Sequence, residues 1–365
     1  MGFLSDLFSN VTQFTWQQGV MLLVGAVLIY LAIRRQMEPS LLLPMGFGAI
    51  LMNLPFVNTA AIETLFNAGI ATELFPLLLF IGIGAMIDFG PLLSNPKMLL
   101  FGAAAQFGIF FTLSAAVALG FPLEDAASIG IIGAADGPTS IYVANYFHSN
   151  YQGAIMVAAY SYMALVPIVQ PPIIKAVTTK KERQIRMPYT PGQVSRTTRI
   201  LFPIFVTIIA GAVAPKSAEL IGFLMFGNLI RECGVLGSLS QTAQNVLANL
   251  ITLVLGLSVA YKMQAELFVT PQTLMILGLG LVAFCFDTVG GVLFAKVLNL
   301  FLKNKINPMI GAAGISAFPM SARVVHKMGR EEDPQNFLLM HSIGVNVSGQ
   351  IASVIAGGLI LSFFG

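Results

Sequence analysis

The sequence predicts an all-α polytopic membrane protein made of two inverted repeats, each with an interrupted or re-entrant helix. Three observations predict it. The 365 residues are 56% hydrophobic and only 10% charged, with a mean hydropathy of +0.83, whereas soluble domains carry roughly 25% charged residues. Two apolar stretches hold helix breakers beside the same tetrapeptide, Ile-Gly-Ala-Ala, at 132–135 and 310–313. Weak internal matches recur at a nearly constant offset: Pro39 with Pro215, Gly46 with Gly222, Asn53 with Asn228, Gly82 with Gly256, Gly102 with Gly278 and Gly133 with Gly311.

In chain order, apolar spans fall at about 20–33, 40–57, 74–88, 98–120, 126–147 and 153–174. Residues 1–19 lack the basic region of a cleavable signal, so the first span is expected to be retained. A basic stretch follows, holding Lys175, Lys180, Lys181, Arg183, Arg186, Arg196 and Arg199. A second set falls at about 200–214, 217–231, 247–261, 272–302, 307–326 and 337–362. The expected division is a first membrane repeat (1–174), a basic cytoplasmic linker (175–199) and a second, inverted repeat (200–365).

Loop charge sets the orientation. With the linker in the cytoplasm, and with 126–147 and 307–326 not fully crossing, Arg34, Arg35, Lys97, Arg231, Lys303, Lys305, Lys327 and Arg330 fall inside. Acidic Glu63, Glu73, Glu124 and Asp125 fall outside, with the rarer Lys216 and Lys262. Each half then makes five full crossings, and an odd number inverts the second half relative to the first. Two cysteines, Cys233 and Cys285, give no disulfide framework or metal motif. No nucleic-acid motif, nucleophile elbow or phosphate loop is present.

The first break runs from Gly130 to Tyr142 and sets Asp136 beside Gly137 and Pro138. A carboxylate at membrane depth marks an ion path or site by default, and interrupted helices are tolerated where they line a cavity. Paired breaks in two halves point to a transporter binding site. Asp136, the Thr139 and Ser140 hydroxyls and freed carbonyls offer the oxygen shell that a hard cation such as Na⁺ requires. The alternative is a carboxylate that only caps a helix N-terminus. The second break adds the neutral oxygens of Asn307 and Ser316, with Gly311 between them. Arg323 follows, either a snorkelling helix-end residue or an anchor for an incoming carboxylate. Tyr162 and Asn346 lie in the spans after the breaks and are expected to pack against them, either as ligands or as interhelical glue. Asp88, before Gly90 and Pro91, reads as a cap or loop residue, and mid-span Asp287 is a second candidate acid.

Long motifs over nearly the whole chain resemble the beta subunit of the biotin-dependent, sodium-pumping decarboxylases, which act on oxaloacetate, methylmalonyl-CoA or glutaconyl-CoA. They are Glu38 to Pro44, Gly84 to Gly90, Gly130 to Tyr142, Ala158 to Pro167, Asn304 to Pro308, Ser321 to Arg323 and Gln335 to His341. The resemblance implies that carboxybiotin, delivered by a biotin carrier subunit after a carboxyltransferase subunit has loaded it, is decarboxylated here with uptake of a proton and outward Na⁺ transport. It implies ion-site roles for Asp136, Tyr162, Asn307, Gly311, Ser316 and Asn346. It also implies catalytic roles for Asp136, Tyr162 and Arg323, and contact of Arg323 and Ser316 with the biotin. A small single-span membrane subunit, an oligomeric assembly, surrounding membrane lipid and a bacterial cytoplasmic membrane location follow in the same way. Three departures stand out. The link from Phe56 to Phe75 is short where the oxaloacetate subunit has an insertion, favouring an acyl-CoA substrate, Gly344 to Ser348 differs from the usual pattern, and Asp287 is an acid the family pattern does not lead one to expect. The rival reading from the breaks alone is a Na⁺-coupled secondary transporter of a small anion.

Overall fold

The computed structural model describes residues 14–188, 192 and 194–365; residues 1–13, the start of the first expected repeat, lie outside them. Among the described residues every regular element is helical. Helix α1 (Trp16–Arg35) opens on a capping box between Thr15 and Gln18 and closes on Arg34, Arg35 and a left-handed Gln36, so both ends are written in local sequence. Helix α2 (Pro39–Met52) starts on a proline, which suits the first turn.

Helix α3 (Ala60–Leu65) runs into a π turn (Phe66–Ile70) and is bent 63° from α4 (Leu74–Met86). The Phe56 to Phe75 link is therefore largely helical. Then come α5 (Pro96–Ala118), α6 (Leu123–Gly130), a 3₁₀ turn (Ile131–Ala134), α7 (Gly137–Tyr146) and α8 (Gln152–Val177). The second half runs α9 (Arg196–Val213), α10 (Ala218–Glu232), α11 (Gly237–Lys262, with a π turn at Thr242–Leu247) and α12 (Pro271–Phe301). It ends with a 3₁₀ stretch (Pro308–Gly314), α13 (Met320–Glu332) and α14 (Leu339–Phe364).

Among the described residues, six helices are each long and apolar enough to cross a membrane, or up to eight if each of two bent pairs is one span. Two segments read as full crossings are shorter than that reading needs: α2 has 14 residues and α10 has 15, against about 20 for a straight crossing. The first ends early, at Asn53, against the expected 57, whereas the second keeps its expected bounds.

Only 11% of the apolar window of α9 and 22% of that of α1 are buried against the chain, whereas α14 reaches 67%. The first helix of each half is thus peripheral, its apolar face turned outward, and the last helix is central. Close approach is made by glycines. Gly84 meets Leu224 and Gly227 meets Ile81 where α4 crosses α10, and Gly291 of α12 meets Gly311 of the second break.

Candidate functional site

Asp136 occupies the turn between α6 and α7. The chain reverses through Ala135, at φ +50°, and Asp136 then caps α7 ahead of Gly137 and Pro138. The cap is local chemistry: Asp136 Oδ1 accepts from the Thr139 backbone N–H at 3.3 Å, and Ser140 Oγ donates to the Asp136 carbonyl at 2.8 Å. The capping alternative is therefore part of the answer. The other carboxylate oxygen, Oδ2, accepts from Thr139 Oγ1 at 2.8 Å and, from α14, from Gln350 Nε2 and Ser353 Oγ at 3.0 Å each. Asp136 is 3% exposed. A charge so buried needs this many donors to remain charged.

The second break meets the first directly. Ser316 donates its backbone N–H to the Ala134 carbonyl at 3.0 Å. Helix α14 runs along both breaks. Asn346 Nδ2 donates to the Ile315 carbonyl at 2.7 Å and Ser316 Oγ to the Gly349 carbonyl at 3.2 Å. Gln350 and Ser353 then reach Asp136. Helix α8 contributes in return, with Gln170 Nε2 donating to the Ala312 carbonyl at 2.6 Å.

Where the breaks meet lies a cavity of about 180 Å³, lined among others by Asp136, Tyr160, Ser316, Gln350 and Glu38. Two neutral oxygens of the site lack a hydrogen-bond partner among the described residues: the Oη of Tyr160, a residue that lines the cavity, and Asn346 Oδ1, buried one turn from Gln350. Such orphans are rare in folded proteins, and both are the neutral oxygen type that a hard cation takes. A Na⁺ ion, the cargo that the sequence reading assigns to the site, fits this donor set. Glu38 lies between α1 and α2 in a left-handed conformation, and burial raises its carboxyl above the ordinary value.

The other expected residues are placed differently. Tyr162 does not reach Asp136: its hydroxyl donates to the Leu277 carbonyl of α12 and its ring lies against Gly280. Residues two apart on a helix point to opposite sides, so only one of Tyr160 and Tyr162 can face the first break, and it is Tyr160. Asn307 braces the linker, donating to the Arg183 and Ile185 carbonyls at 2.8 and 2.9 Å, and caps the second break by accepting from the Met309 N–H. Gly311 serves the backbone contact with α12. Arg323 is exposed on α13. Asp88 accepts from the Gly90 N–H at 2.8 Å, a turn contact ahead of a short helix capped at Phe89, and pairs with Arg199. Asp287 is fully buried away from the cavity, accepting from the Gly108 N–H.

Sequence reasoning missed Gln350, Ser353 and Glu38 as site residues. A signal for two of them was present, because Asn346, Gln350 and Ser353 follow one another at spacings of four and three and so share one face of α14. The long motif beginning at Glu38 held the third without assigning it a role.

A buried carboxylate held where two interrupted helices meet, in a chain of apolar helices, defines a class, the polytopic membrane proteins with paired helix breaks. Within it, the chain belongs to the Na⁺-transporting oxaloacetate decarboxylase beta subunit family, whose model matches residues 17–364. It is 49% identical over 360 residues to the glutaconyl-CoA decarboxylase subunit beta of Acidaminococcus fermentans, covering 98% of this chain and 96% of that protein. It is 49% identical over 374 residues to the methylmalonyl-CoA decarboxylase subunit beta of Propionigenium modestum, covering 95% and 94%. The probable oxaloacetate decarboxylase beta chain of Vibrio cholerae is 46% identical over 414 residues, covering 95% of each. The resemblance read from the motifs is the family found, and the chain is a multi-pass membrane beta subunit of the Na⁺-transporting decarboxylase kind.

Proposed function

We propose that this chain decarboxylates carboxybiotin and couples that step to outward Na⁺ transport through a site at Asp136. The observation that carries the reading is the cavity where the two breaks meet. It is lined by the buried Asp136 and by Tyr160, whose hydroxyl is an orphan, and a second orphan oxygen, Asn346 Oδ1, lies one turn of α14 from its Gln350 wall. Na⁺ enters from the cytoplasm and binds Asp136 with Ser316, Asn346 and their neighbours. The carboxylated biotin, on its carrier subunit, docks with its carboxylate at Arg323. That side chain is unpaired among the described residues, whereas Lys327 pairs with Glu331 and Arg330 lies over the Phe337 ring. The N–C bond then breaks, CO₂ leaves, and the biotin nitrogen takes a proton. Tyr162, Asn307 and Gly311 act as the frame that holds the two breaks in register. A bound ligand shifts the protein between inward- and outward-open states only by its differential affinity for them, so carboxybiotin must favour one state.

The recurring element order, with π turns at 66–70 and 242–247, supports the division into two inverted repeats, 1–174 and 200–365, joined by a cytoplasmic linker. Alignments to oxaloacetate subunits stretch over 411–420 positions, against 355–374 for the acyl-CoA subunits. That pattern fits an insertion missing here and favours an acyl-CoA decarboxylase. The bacterial relatives support a bacterial cytoplasmic membrane. The assembly is an oligomer with carboxyltransferase, biotin carrier and small single-span subunits.

The test is CO₂ release from free carboxybiotin by the protein in liposomes, titrated with Na⁺. Saturable Na⁺ activation that disappears in Asp136→Asn is the expected result. Near-normal Na⁺-dependent activity in that variant would remove Asp136 from the ion path. Na⁺-driven anion uptake with no CO₂ release would make the protein a secondary carrier.

A further inference from the structure

We infer that Tyr160, and not Tyr162, supplies a phenolic oxygen to the transported cation. The inference rests on the ion-site reading of Asp136 and adds a residue to it. Tyr160 is 2% exposed, and its hydroxyl has no partner among the described residues. A buried tyrosine hydroxyl normally finds one, and leaving a buried polar group unsatisfied costs about 1–3 kcal/mol. Tyr160 lines the same cavity as Asp136, Ser316 and Gln350.

Its approach is built into the backbone. The Tyr160 ring presses on Gly137, where a Cβ would overlap the ring carbons. Gly137 thus does more than interrupt a helix: its missing side chain admits the ring to the turn that holds Asp136. The Tyr162 hydroxyl, by contrast, is committed to the Leu277 carbonyl. A neutral phenol oxygen offers a lone pair to a cation while adding no charge for a proton to neutralise. It therefore favours a metal cation over a proton at the neighbouring carboxylate.

Equilibrium binding of radioactive Na⁺ to the purified full chain tests this in wild type, Asp136→Asn, Tyr160→Phe and Tyr162→Phe. Tyr160→Phe keeps the ring on Gly137 and is expected to weaken Na⁺ binding about tenfold, equivalent to about 1.4 kcal/mol. Tyr162→Phe, which loses only the framing hydrogen bond to the Leu277 carbonyl, is expected to weaken Na⁺ binding much less than Tyr160→Phe. Na⁺ binding in Tyr160→Phe equal to wild type, with Asp136→Asn inactive in binding, would overturn the assignment. Unchanged binding in Asp136→Asn would instead overturn the ion-site reading beneath it. Should Tyr160→Phe fail to fold, Na⁺-induced infrared difference spectra with isotope-labelled tyrosine decide. A tyrosine C–O band that responds to Na⁺ in wild type and still responds in Tyr162→Phe supports the inference. No response, or one lost in Tyr162→Phe, rejects it.

Discussion

Arg323 and Asp136 show how differently two charged residues are treated by one fold. Asp136 is buried and held by donors from α7 and α14; Arg323 is exposed and engages no acid among the described residues. A free guanidinium suits fork-like capture of an incoming carboxylate. Arg323→Ala is accordingly expected to raise the KM for carboxybiotin by about tenfold or more, the scale of one charged hydrogen bond, and to leave the Na⁺ half-saturation within about twofold. Steady-state CO₂ release measured against each ligand separates the two. A larger effect on Na⁺ would move Arg323 to the ion path. At this scale much was legible: an acid next to Gly137-Pro138 inside an apolar run announces itself. The choice between Tyr160 and Tyr162 was not legible. Both sit on the same helix, and only the rotation of α8 about its axis, set by packing against α12, decides which faces the break.

Helix α14 is the element that joins the site together. Its residues 346, 349, 350 and 353 meet the second break and then the first within about two turns. The second break is in turn held against α12 by glycine contact. Gly291 and Gly311 approach so closely that a Cβ on either would overlap the other's carbonyl oxygen. Because the obstructing atoms are backbone and not a yielding side-chain tip, Gly291→Ala is expected to cost about 1–3 kcal/mol through forced displacement. A lowered melting temperature in detergent, with weakened Na⁺ activation, is the readout; an unchanged melt would mean that the crossing has slack. The helix breakers, caps and apolar runs that form these elements are local signals, which is why their order was readable. The lengths of α2 and α10 and the π turns were not, because both depend on what each helix packs against.

Across the whole molecule, the linker is clasped to the second half. Arg183 pairs with Glu332 at 2.6 Å and Arg186 with Asp333 at 2.5 Å, and Asn307 and Asn336 both donate to the Arg183 carbonyl. Hydrogen bonding from Arg186, then from the Gln335 N–H, holds the Asp333 carboxyl below its ordinary value. A carboxylate depressed in the folded state stabilises it fully above the unfolded pKa of about 4 and loses that contribution as pH falls through the lower folded value. The clasp is thus expected to hold at neutral pH and loosen only in acid. Spin-label distances between positions 181 and 327 should stay constant down to about pH 4 and broaden below it. Asp333→Asn should remove that step, and broadening at neutral pH in wild type would contradict it.

The four hydrogen bonds that satisfy Asp136 also bear on how a pump unloads. A carboxylate stripped of its cation in a dry interior would pull the ion back at once. With a cation at Asp136 as proposed, Thr139, Gln350 and Ser353 stand ready to take its place. Departure then exchanges one set of partners for another and exposes no naked charge. A conducting path needs sites that bind well enough to fill and weakly enough to empty. The side chains that keep this carboxylate content when it is alone are, on this view, the ones that let its passenger leave.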